Sequence, residues 1–357
     1  MPATPTSADD ARDLIRSLPK VRLRGAGSKS ALSGDAGTEG AESVSLAGLS
    51  GMIEYEPSEF CFTAKAGTPL RAIAAELATH GQYLPFDPPL AEQGATLAGN
   101  LAAGLSGPGR LRYGGLRDFV LAVEFVDGGG ELRRGGARVV KNAAGFDLPK
   151  FLCGSLGKFG AITELTFKVF PKPEATRTLR AAAGSLAGGI DALRRIAMLP
   201  LDLDALELSS AGDLTVRLAG RGDALSARAD RLRADTGMDF EALPAGDADA
   251  YWARLGALDF GGGCAIRIPL TPDRIASLDD AAAALGAARH YSMAGNLAWL
   301  GIAADRVPAL DKALAKAGLA GVAIRGEGIA DPRIGTLPSV AAEAMVRRVF
   351  DAGGRFV

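Results

Sequence analysis

The sequence is poor in the two residue types that most often bind transition metals, with two histidines and three cysteines in 357 residues. Cys61, Cys153 and Cys264 lie far apart and none belongs to a paired spacing, which argues against a disulfide framework. The same scarcity excludes the ligand sets typical of zinc and iron–sulfur sites. We therefore expect buried, reduced thiols in a reducing compartment and no bound metal.

The chain also lacks an excess of charge and any long apolar run. Forty Lys and Arg residues against 41 Asp and Glu residues leave a net charge of -1, so no overall field attracts nucleic acid. No run of 18 apolar residues occurs, and the first residues do not form a secretory signal. We predict a cytoplasmic protein without a direct membrane span, associated with a membrane only through partner subunits if at all.

Glycine, in contrast, is abundant, with 47 residues, and is concentrated in residues 25–51 and 94–160. The stretch between these patches predicts a strand over 60–66 and a helix over 70–79, with Thr68 as the cap and Pro69 at the first helical position. Further on, the turn at residues 127–130, Asp-Gly-Gly-Gly, predicts a β-hairpin. The rigid connector at residues 171–173, Pro-Lys-Pro, places a domain boundary near residue 173.

The second half changes in character. It predicts strand–helix–strand–strand–helix over residues 177–233, and a similar order recurs over 265–325. Two ferredoxin-like halves in one sheet explain this repetition. We predict an α+β protein with a glycine-rich domain at 1–173, a ferredoxin-like cap domain at 174–335, and a C-terminal helix and tail at 336–357 that return to the first domain.

Four glycine-rich segments are candidates for ligand binding. Residues 22–30, Arg-Leu-Arg-Gly-Ala-Gly-Ser-Lys-Ser, form a strand followed by small residues whose N–H groups can converge on an anion. Residues 94–107 are almost entirely small, which fits either close helix packing or the approach of a bulky ligand. Residues 141–148 and 154–164 resemble further ligand-facing loops. Any one of these segments is a weak signal, because most glycine-rich turns only turn the chain.

Together and in this order, the four segments resemble the FAD-binding domain of the vanillyl-alcohol oxidase type, also called the PCMH type. Lys141-Asn142, residues 145–148, Leu105-Ser106-Gly107-Pro108 and the histidine-poor second half are most similar to the FAD-binding E-subunit family of glycolate oxidase. The resemblance implies FAD as cofactor, with residues 25–30 around the pyrophosphate, 94–107 along the flavin, and 157–163 near the adenine. The cofactor-binding residues that it implies are Arg24, Gly25, Ala26, Gly27, Ser28, Lys29, Ser30, Pro88, Gly94, Ala95, Thr96, Gly99, Asn100, Ala103, Gly104, Ser106, Gly107, Arg112, Gly114, Asp118, Lys141, Asn142, Gly145, Phe146, Asp147, Gly154, Gly157, Gly160 and Ile162.

The chain departs from related 2-hydroxy-acid flavoenzymes, whose cap domains carry a His-x-x-x-Gly-Asn-x-His metal motif. Here Tyr291 and Ala298 stand where the ligand histidines would be needed. Oxidation of a 2-hydroxy acid needs a base for the hydroxyl and a cation for the carboxylate. Arg267, Asn296 and Trp299 are the substrate-site candidates, whereas His290 is interpreted as a half-exposed strand residue, and the catalytic residues stay unidentified.

The resemblance implies one FAD-binding subunit of a glycolate-oxidising complex, supporting electron transfer or assembly and active only with its partners. Those partners are a larger homologous FAD subunit and an iron–sulfur subunit, and the substrate is a small 2-hydroxy acid. Two alternatives stay open. The chain could be a self-sufficient FAD-dependent 2-hydroxy-acid dehydrogenase, or a non-catalytic structural subunit whose glycines only pack helices.

Overall fold

The computed structural model describes residues 2–33, 40–137, 146–337 and 340–357. In the first half of the chain, these ranges contain the helices α1 Ala8–Ser17, α2 Leu70–Ala78, α3 Leu97–Ala103, α4 Arg110–Tyr113 and α5 Leu148–Leu152. The strands of this half are β1 Val21–Arg24, β2 Glu42–Ser45, β3 Met52–Glu56, β4 Cys61–Lys65, β5 Gln82–Tyr83, β6 Val120–Val126, β7 Leu132–Gly136, β8 Ala161–Lys168 and β9 Phe170–Pro171.

The strands of the first half form one large antiparallel sheet and two small pairs. The large sheet has the order β3-β4-β8-β6-β7, while β1 and β2 pair in parallel and β5 pairs with β9. The predicted hairpin is confirmed between β6 and β7, where Asp127 Oδ1 accepts hydrogen bonds from the N–H groups of Gly129 and Glu131, each at 2.9 Å. That carboxylate holds the glycine turn closed.

The start of α2 differs from the prediction. Its N-cap is Pro69 rather than Thr68. The Thr68 hydroxyl instead donates to the carbonyl of Lys65 at 2.7 Å and accepts from the N–H of Gly51 at 3.0 Å. The hydroxyl therefore connects two loops, since a buried hydroxyl takes whichever partners the fold brings nearest.

The second half begins at β10 and runs to the C-terminal helix. Its helices are α6 Leu186–Met198, α7 Leu225–Thr236, α8 Ala245–Gly256, α9 Ile275–Ala283, α10 Val307–Ala317 and α11 Val340–Phe350. Its strands are β10 Ala175–Ala182, β11 Ala205–Ser209, β12 Asp213–Gly220, β13 Glu241–Ala242, β14 Cys264–Pro269, β15 Ala288–Ser292, β16 Leu297–Ile302, β17 Ala320–Arg325 and β18 Arg333–Gly335.

These strands form a single antiparallel cap sheet in the order β13-β10-β12-β11-β15-β16-β14-β17-β18. Numbered in chain order within each half, the four strands are arranged 4-1-3-2, which is the ferredoxin-like arrangement. The first half is β13-β10-β12-β11, and the second is β17-β14-β16-β15. The two halves join where β11 pairs with β15. The predicted α+β fold with two ferredoxin-like halves is confirmed, although helix α8 was not predicted.

The two faces of the cap sheet have different environments. Leu206, Ile266, Tyr291 and Leu300 belong to a core between one face and the cap helices. Ala265, Leu297 and Trp299 belong to the core of the first half instead. Because side chains alternate along a strand, every second residue of β14, β15 and β16 faces the first half of the chain.

The end of the chain lies on the first half. Phe350 of α11 contacts Phe125 of β6, with 5.9 Å between the ring centroids. Beyond α11, the N–H of Val21 donates to the carbonyl of Arg355 at 2.8 Å, and Phe356 lies buried beside β1.

Among the helices of the described residues, none combines the length and apolarity that crossing a bilayer requires. Cys264 is buried as expected, whereas Cys61 and Cys153 are only half-buried.

Arg217, whose side chain is 13% exposed, joins the cap sheet to the first half. Arg217 of β12 donates to the carboxylates of Asp87 and Asp204, and its guanidinium lies 4.7 Å from the ring centroid of Trp252. Asp87 also accepts from the N–H of Gly109 at 2.8 Å. Burial raises the pKa of Asp204 even with Arg217 beside it. The negative charges of Asp87 and Asp204 are therefore both paired with the guanidinium of Arg217.

Replacing Arg217 with methionine should lower the free energy of unfolding by about 3–5 kcal/mol, because it leaves a buried carboxylate without its cation. Urea unfolding followed by circular dichroism measures the loss. Arg221→Met is the control, since Arg221 and its partner Asp223 are both exposed. A loss no larger than that of the control would show that Arg217 does not hold the two halves together.

Candidate functional site

Two glycine-containing segments, the loop after β1 and the start of α3, approach each other closely. The loop after β1 passes so close to the start of α3 that a Cβ on Gly25 would lie 2.6 Å from Oγ1 of Thr96. Thr96 is the N-cap of α3, and its hydroxyl accepts from the N–H of Gly99 at 3.2 Å. Gly27 has a φ of +82°, a left-handed conformation that favours glycine. Small side chains are therefore required for this close approach.

A third segment is fixed to the other end of α3. The N–H of Gly154 donates to the carbonyl of Leu101 at 3.0 Å, and the N–H of Leu156 donates to that of Ala102 at 2.9 Å. Gly157 then turns the chain with a φ of +79°. The loop that leads into β8 is thereby placed opposite the loop that follows β1.

These three segments line an open cleft, which we call the loop cavity. Clefts between loops of this kind are common sites for small molecules and cofactors. Twelve of the predicted cofactor-binding residues line it: Arg24, Gly25, Ala26, Gly27, Ser28, Lys29, Thr96, Gly99, Ala103, Gly157, Gly160 and Ile162. Seven lining residues were missing from the prediction: Leu23, Leu32, Leu46, Ala66, Ala98, Ala102 and Leu156.

The missed residues are all apolar: Leu23 lies on β1, Ala98 and Ala102 lie on α3, and the other four lie in turns and loops. Leu23 could be found from the alternation of β1, because it shares a face with the buried Val21. Leu46 and Ala66 carry no such signal. They reach the cavity through the packing of the first half, which residue spacing does not show.

Two cations line the loop cavity, Arg24 and Lys29, and Lys29 is the buried one. Only 7% of its surface is exposed, and its Nζ lies 3.5 Å from the hydroxyl of Ser28. Burial lowers the pKa of Lys29 to about 8, because desolvation disfavours the ammonium form. A Cβ on Gly99 would be 3.8 Å from this Nζ. The ammonium group therefore lies between the β1 loop and the start of α3.

The loop cavity fits FAD. Within the described residues, no hydrogen bond is donated by the backbone N–H groups of Ala26, Gly27 and Ser28. Free N–H groups beside a buried ammonium suit the pyrophosphate of a dinucleotide. The apolar part of the wall, including Leu23, Leu156 and Ile162, suits an aromatic ring system.

The other predicted cofactor-binding residues within the described ranges do not line the loop cavity. They are Ser30, Pro88, Gly94, Ala95, Asn100, Gly104, Ser106, Gly107, Arg112, Gly114, Asp118, Phe146, Asp147 and Gly154. Lys141, Asn142 and Gly145 lie outside the described residues.

Several of these residues have a structural contact of their own. Asn100 donates to the carbonyl of Leu105 at 3.2 Å, and Ser106 accepts from the N–H of Leu116 at 2.9 Å. Arg112 pairs with Asp202 at 2.9 Å. Asp118 accepts from the N–H of Gly115, and Asp147 caps α5. Ser30 accepts from the N–H of Gly326 in the second half of the chain. Phe146 is 69% exposed.

Of the three substrate-site candidates, Arg267 and Trp299 are register partners on adjacent strands, whereas Asn296 lies apart from them. Asn296 is exposed in the turn between β15 and β16, where it donates to the carbonyl of Met293 at 2.9 Å. Arg267 is half-buried, and its guanidinium donates to the carbonyls of Ala103 and Gly104 at 3.1 and 2.7 Å. Burial, reinforced by the positive charge of Arg110, lowers the pKa of Arg267 to about 10.

Trp299 lines a second, much smaller space, the junction cavity, between the cap sheet and the loop after α3. His290 lines it too, and here the sequence interpretation was wrong. His290 is 5% exposed rather than half-exposed, because the first half of the chain covers its face of the cap sheet. In the described part of the chain, no three His, Cys, Asp or Glu residues are grouped as a metal site requires.

Comparison with known proteins supports the cofactor assignment. Residues 2–136 match the FAD binding domain family. Over 130 residues the chain is 45% identical to glycolate oxidase subunit GlcE of Escherichia coli, covering 36% of this chain and 37% of that protein. It is 33% identical over 161 residues to a D-lactate dehydrogenase of Anaerostipes hadrus, and 31% identical over 144 residues to glycolate oxidase subunit GlcD of Bacillus subtilis. These alignments cover 34% and 30% of the two relatives, so each matched region spans about a third of a relative's length.

Solved structures share the fold over almost the whole chain. An alkyldihydroxyacetonephosphate synthase superposes with a TM-score of 0.71 over 98% of this chain and 74% of its own. P-cresol methylhydroxylase superposes with the same TM-score over 99% of this chain and 87% of its own. Both are 14% identical in sequence, so they show the fold alone. The resemblance in fold to PCMH-type FAD-binding proteins is confirmed, and residues 2–136 match the FAD binding domain family.

Replacing Lys29 with methionine should weaken FAD binding about tenfold or more at pH 7, because the pyrophosphate loses a charge-assisted contact. The difference should disappear as the pH rises. Lys29 carries its proton below its pKa of about 8 and loses it above, so the unmodified chain should bind FAD more weakly with increasing pH. Titration with FAD from pH 6 to pH 10 measures both effects. Lys172→Met, at an exposed lysine, is the control, and an effect of Lys29→Met that does not change with pH would contradict the assignment.

Two helical glycines allow a matched test of the loop cavity. A Cβ on Gly99 would lie 2.8 Å from Oγ1 of Thr96, whereas one on Gly246 of α8 would meet nothing within 4 Å. Gly99→Ala should therefore weaken FAD binding severalfold, while Gly246→Ala should leave binding unchanged and stabilise its helix by up to about 1 kcal/mol. Isothermal titration and thermal unfolding measure the two quantities. Equal FAD affinity in both variants would show that Gly99 is not in contact with the cofactor.

Proposed function

We propose that this chain, whose residues 2–136 match the FAD binding domain family, is the FAD-binding subunit of a complex that oxidises glycolate to the 2-oxo acid. The observation that carries the proposal is the loop cavity, in which three glycine-containing segments surround Lys29. The 45% identity to a glycolate oxidase subunit directs the choice of substrate. When bound, FAD accepts the electron pair and hydrogen that a 2-hydroxy acid loses on oxidation.

The protein's own residues have three tasks in this function. Lys29 and the free N–H groups of residues 26–28 neutralise and hold the pyrophosphate. Leu23, Leu156 and Ile162 exclude water from the ring system. Arg267 joins the cap sheet to the last carbonyls of α3, so that the cap covers the loop after this helix.

We propose further that the chain acts only in complex with a larger homologous FAD subunit and an iron–sulfur subunit. The presence of two differently named glycolate oxidase subunits among its relatives supports a complex of several chains. In this proposal the complex is cytoplasmic, and any association with a membrane is made through the partners. The related D-lactate dehydrogenases support a second candidate function, that of a self-sufficient 2-hydroxy-acid dehydrogenase.

The purified chain should show a flavin absorbance spectrum, and acid denaturation should release FAD. Anaerobic glycolate should leave the flavin of the isolated chain oxidised but bleach it when the two partner subunits are added, because the substrate reaction requires the complex. Rapid bleaching of the isolated chain would favour the self-sufficient dehydrogenase. A colourless protein that does not take up added FAD would contradict the cofactor assignment.

A further inference from the structure

The C-terminal segment, residues 340–357, contacts the loop cavity from outside. Among the described residues, none of those that line the cleft belongs to this segment. Its helix α11 and the tail beyond it instead contact the elements that carry the first and third lining segments, which are the loop after β1 and the loop that leads into β8. The C-terminal segment therefore holds parts of the cleft wall without forming the wall itself.

Glu343, in the first turn of α11, makes the contact with the third lining segment. Its Oε1 accepts from Nζ of Lys158 at 3.0 Å, and its Oε2 accepts from the guanidinium of Arg333 on β18 at 3.1 Å. Lys158 directly follows Gly157, which lines the loop cavity and turns the third segment. One carboxylate therefore joins the C-terminal helix to a wall of the cleft and to the edge strand of the cap sheet.

The charges around Glu343 form a network rather than an isolated surface pair. Lys158 and Glu343 expose 18% and 29% of their side chains, and Arg347 adds a further cation at 3.4 Å from Oε1. Desolvation raises the pKa of Glu343, but its hydrogen bond with Lys158 and the charges of the three cations outweigh desolvation and hold that pKa below its ordinary value. Glu343 is therefore ionised at neutral pH, and detaching α11 would remove the carboxylate that these cations share.

The tail after α11 contacts the strand that leads into the first lining segment. Asp351, whose side chain is fully buried, accepts from the N–H groups of Arg355 and Phe356 at 2.8 and 3.0 Å. This turn returns the chain to β1, where Val21 donates to the carbonyl of Arg355 at 2.8 Å and accepts from the N–H of Val357 at 3.2 Å. The first lining segment begins where β1 ends, so the tail fixes the strand that supports it.

We propose that the C-terminal segment is a clamp whose docking and FAD binding stabilise each other, with Glu343 as its positioning residue. This inference rests on the assignment of FAD to the loop cavity. A cleft binds its ligand more tightly when its walls are already held in the bound arrangement, because less ordering remains to be done on binding. The clamp holds the first and third lining segments, and the coupling is reciprocal, so bound FAD stabilises the docked clamp by the same factor.

Hydrogen–deuterium exchange of the full chain, with and without saturating FAD, tests the coupling directly. FAD should slow exchange of the α11 amides about fivefold, as reciprocal coupling requires. The amides of α7, which packs against β10 and β12 of the cap sheet, should be unaffected. Unchanged α11 exchange in a chain that binds FAD would overturn the clamp and leave the cofactor assignment intact. Equal slowing in α7 would indicate general stabilisation and overturn it too, and a chain that binds no FAD would refute both proposals.

Substitutions distinguish a positioning role from a structural one. Glu343→Gln and Lys158→Met should each weaken FAD binding about fivefold, measured by isothermal titration. The double variant should bind no more weakly than either single variant, because both changes remove the same contact. Lys158→Arg should keep most of the affinity, since a guanidinium also pairs with a carboxylate. Glu131→Gln is the matched control, because it removes an exposed ion pair with Arg16 and should leave FAD binding unchanged.

Two results of these titrations would contradict the clamp. If Glu343→Gln lowers the melting temperature of the FAD-free chain but leaves FAD affinity unchanged, the contact is only structural. If Lys158→Met weakens binding and Glu343→Gln does not, Lys158 acts on the cofactor itself and α11 has no part in positioning it.

Discussion

The carbonyl groups at the C-terminal end of α3 are the point on which the rest of the structure depends. The last turn of any helix leaves its carbonyls without partners inside the helix. Here the loop before β8 supplies partners for Leu101 and Ala102, and Arg267 of the cap sheet supplies them for Ala103 and Gly104. One short helix thereby fixes the third segment of the loop cavity and the position of the cap domain at the same time.

This arrangement explains why the first half is so rich in glycine. Three backbone segments must meet around α3 at distances that leave no room for side chains, as the 2.6 Å between a Cβ on Gly25 and Thr96 shows. The sequence revealed these positions because glycine and alanine cluster there. It also revealed the hairpin at Asp127 and the repeated order of the cap, since both depend on local turn chemistry and periodicity.

Features that arise from distant pairings could not be predicted in the same way. Glu207 and His290, which form a hydrogen bond, are brought together only by the register between β11 and β15, and no local pattern around either residue indicates it. The burial of His290 follows from the same cause, because β15 alone cannot show that the FAD domain covers one of its faces. Arg112 and Asp118 illustrate the opposite case, in which residues near glycine loops form an ion pair and a turn instead of lining the cavity.

Two cations close to α3, Lys29 and Arg267, are largely shielded from water. Lys29 and Arg267 both have a pKa lowered chiefly by burial, to about 8 and about 10, so each is charged at neutral pH at an energetic cost. A bound anion offsets that cost, since opposite charge favours the ionised form. Lys29 borders the loop cavity, whereas Arg267 donates to the carbonyls of Ala103 and Gly104 at the end of α3. An anion bound in the loop cavity would therefore offset the desolvation of Lys29, while the helix carbonyls partly offset that of Arg267.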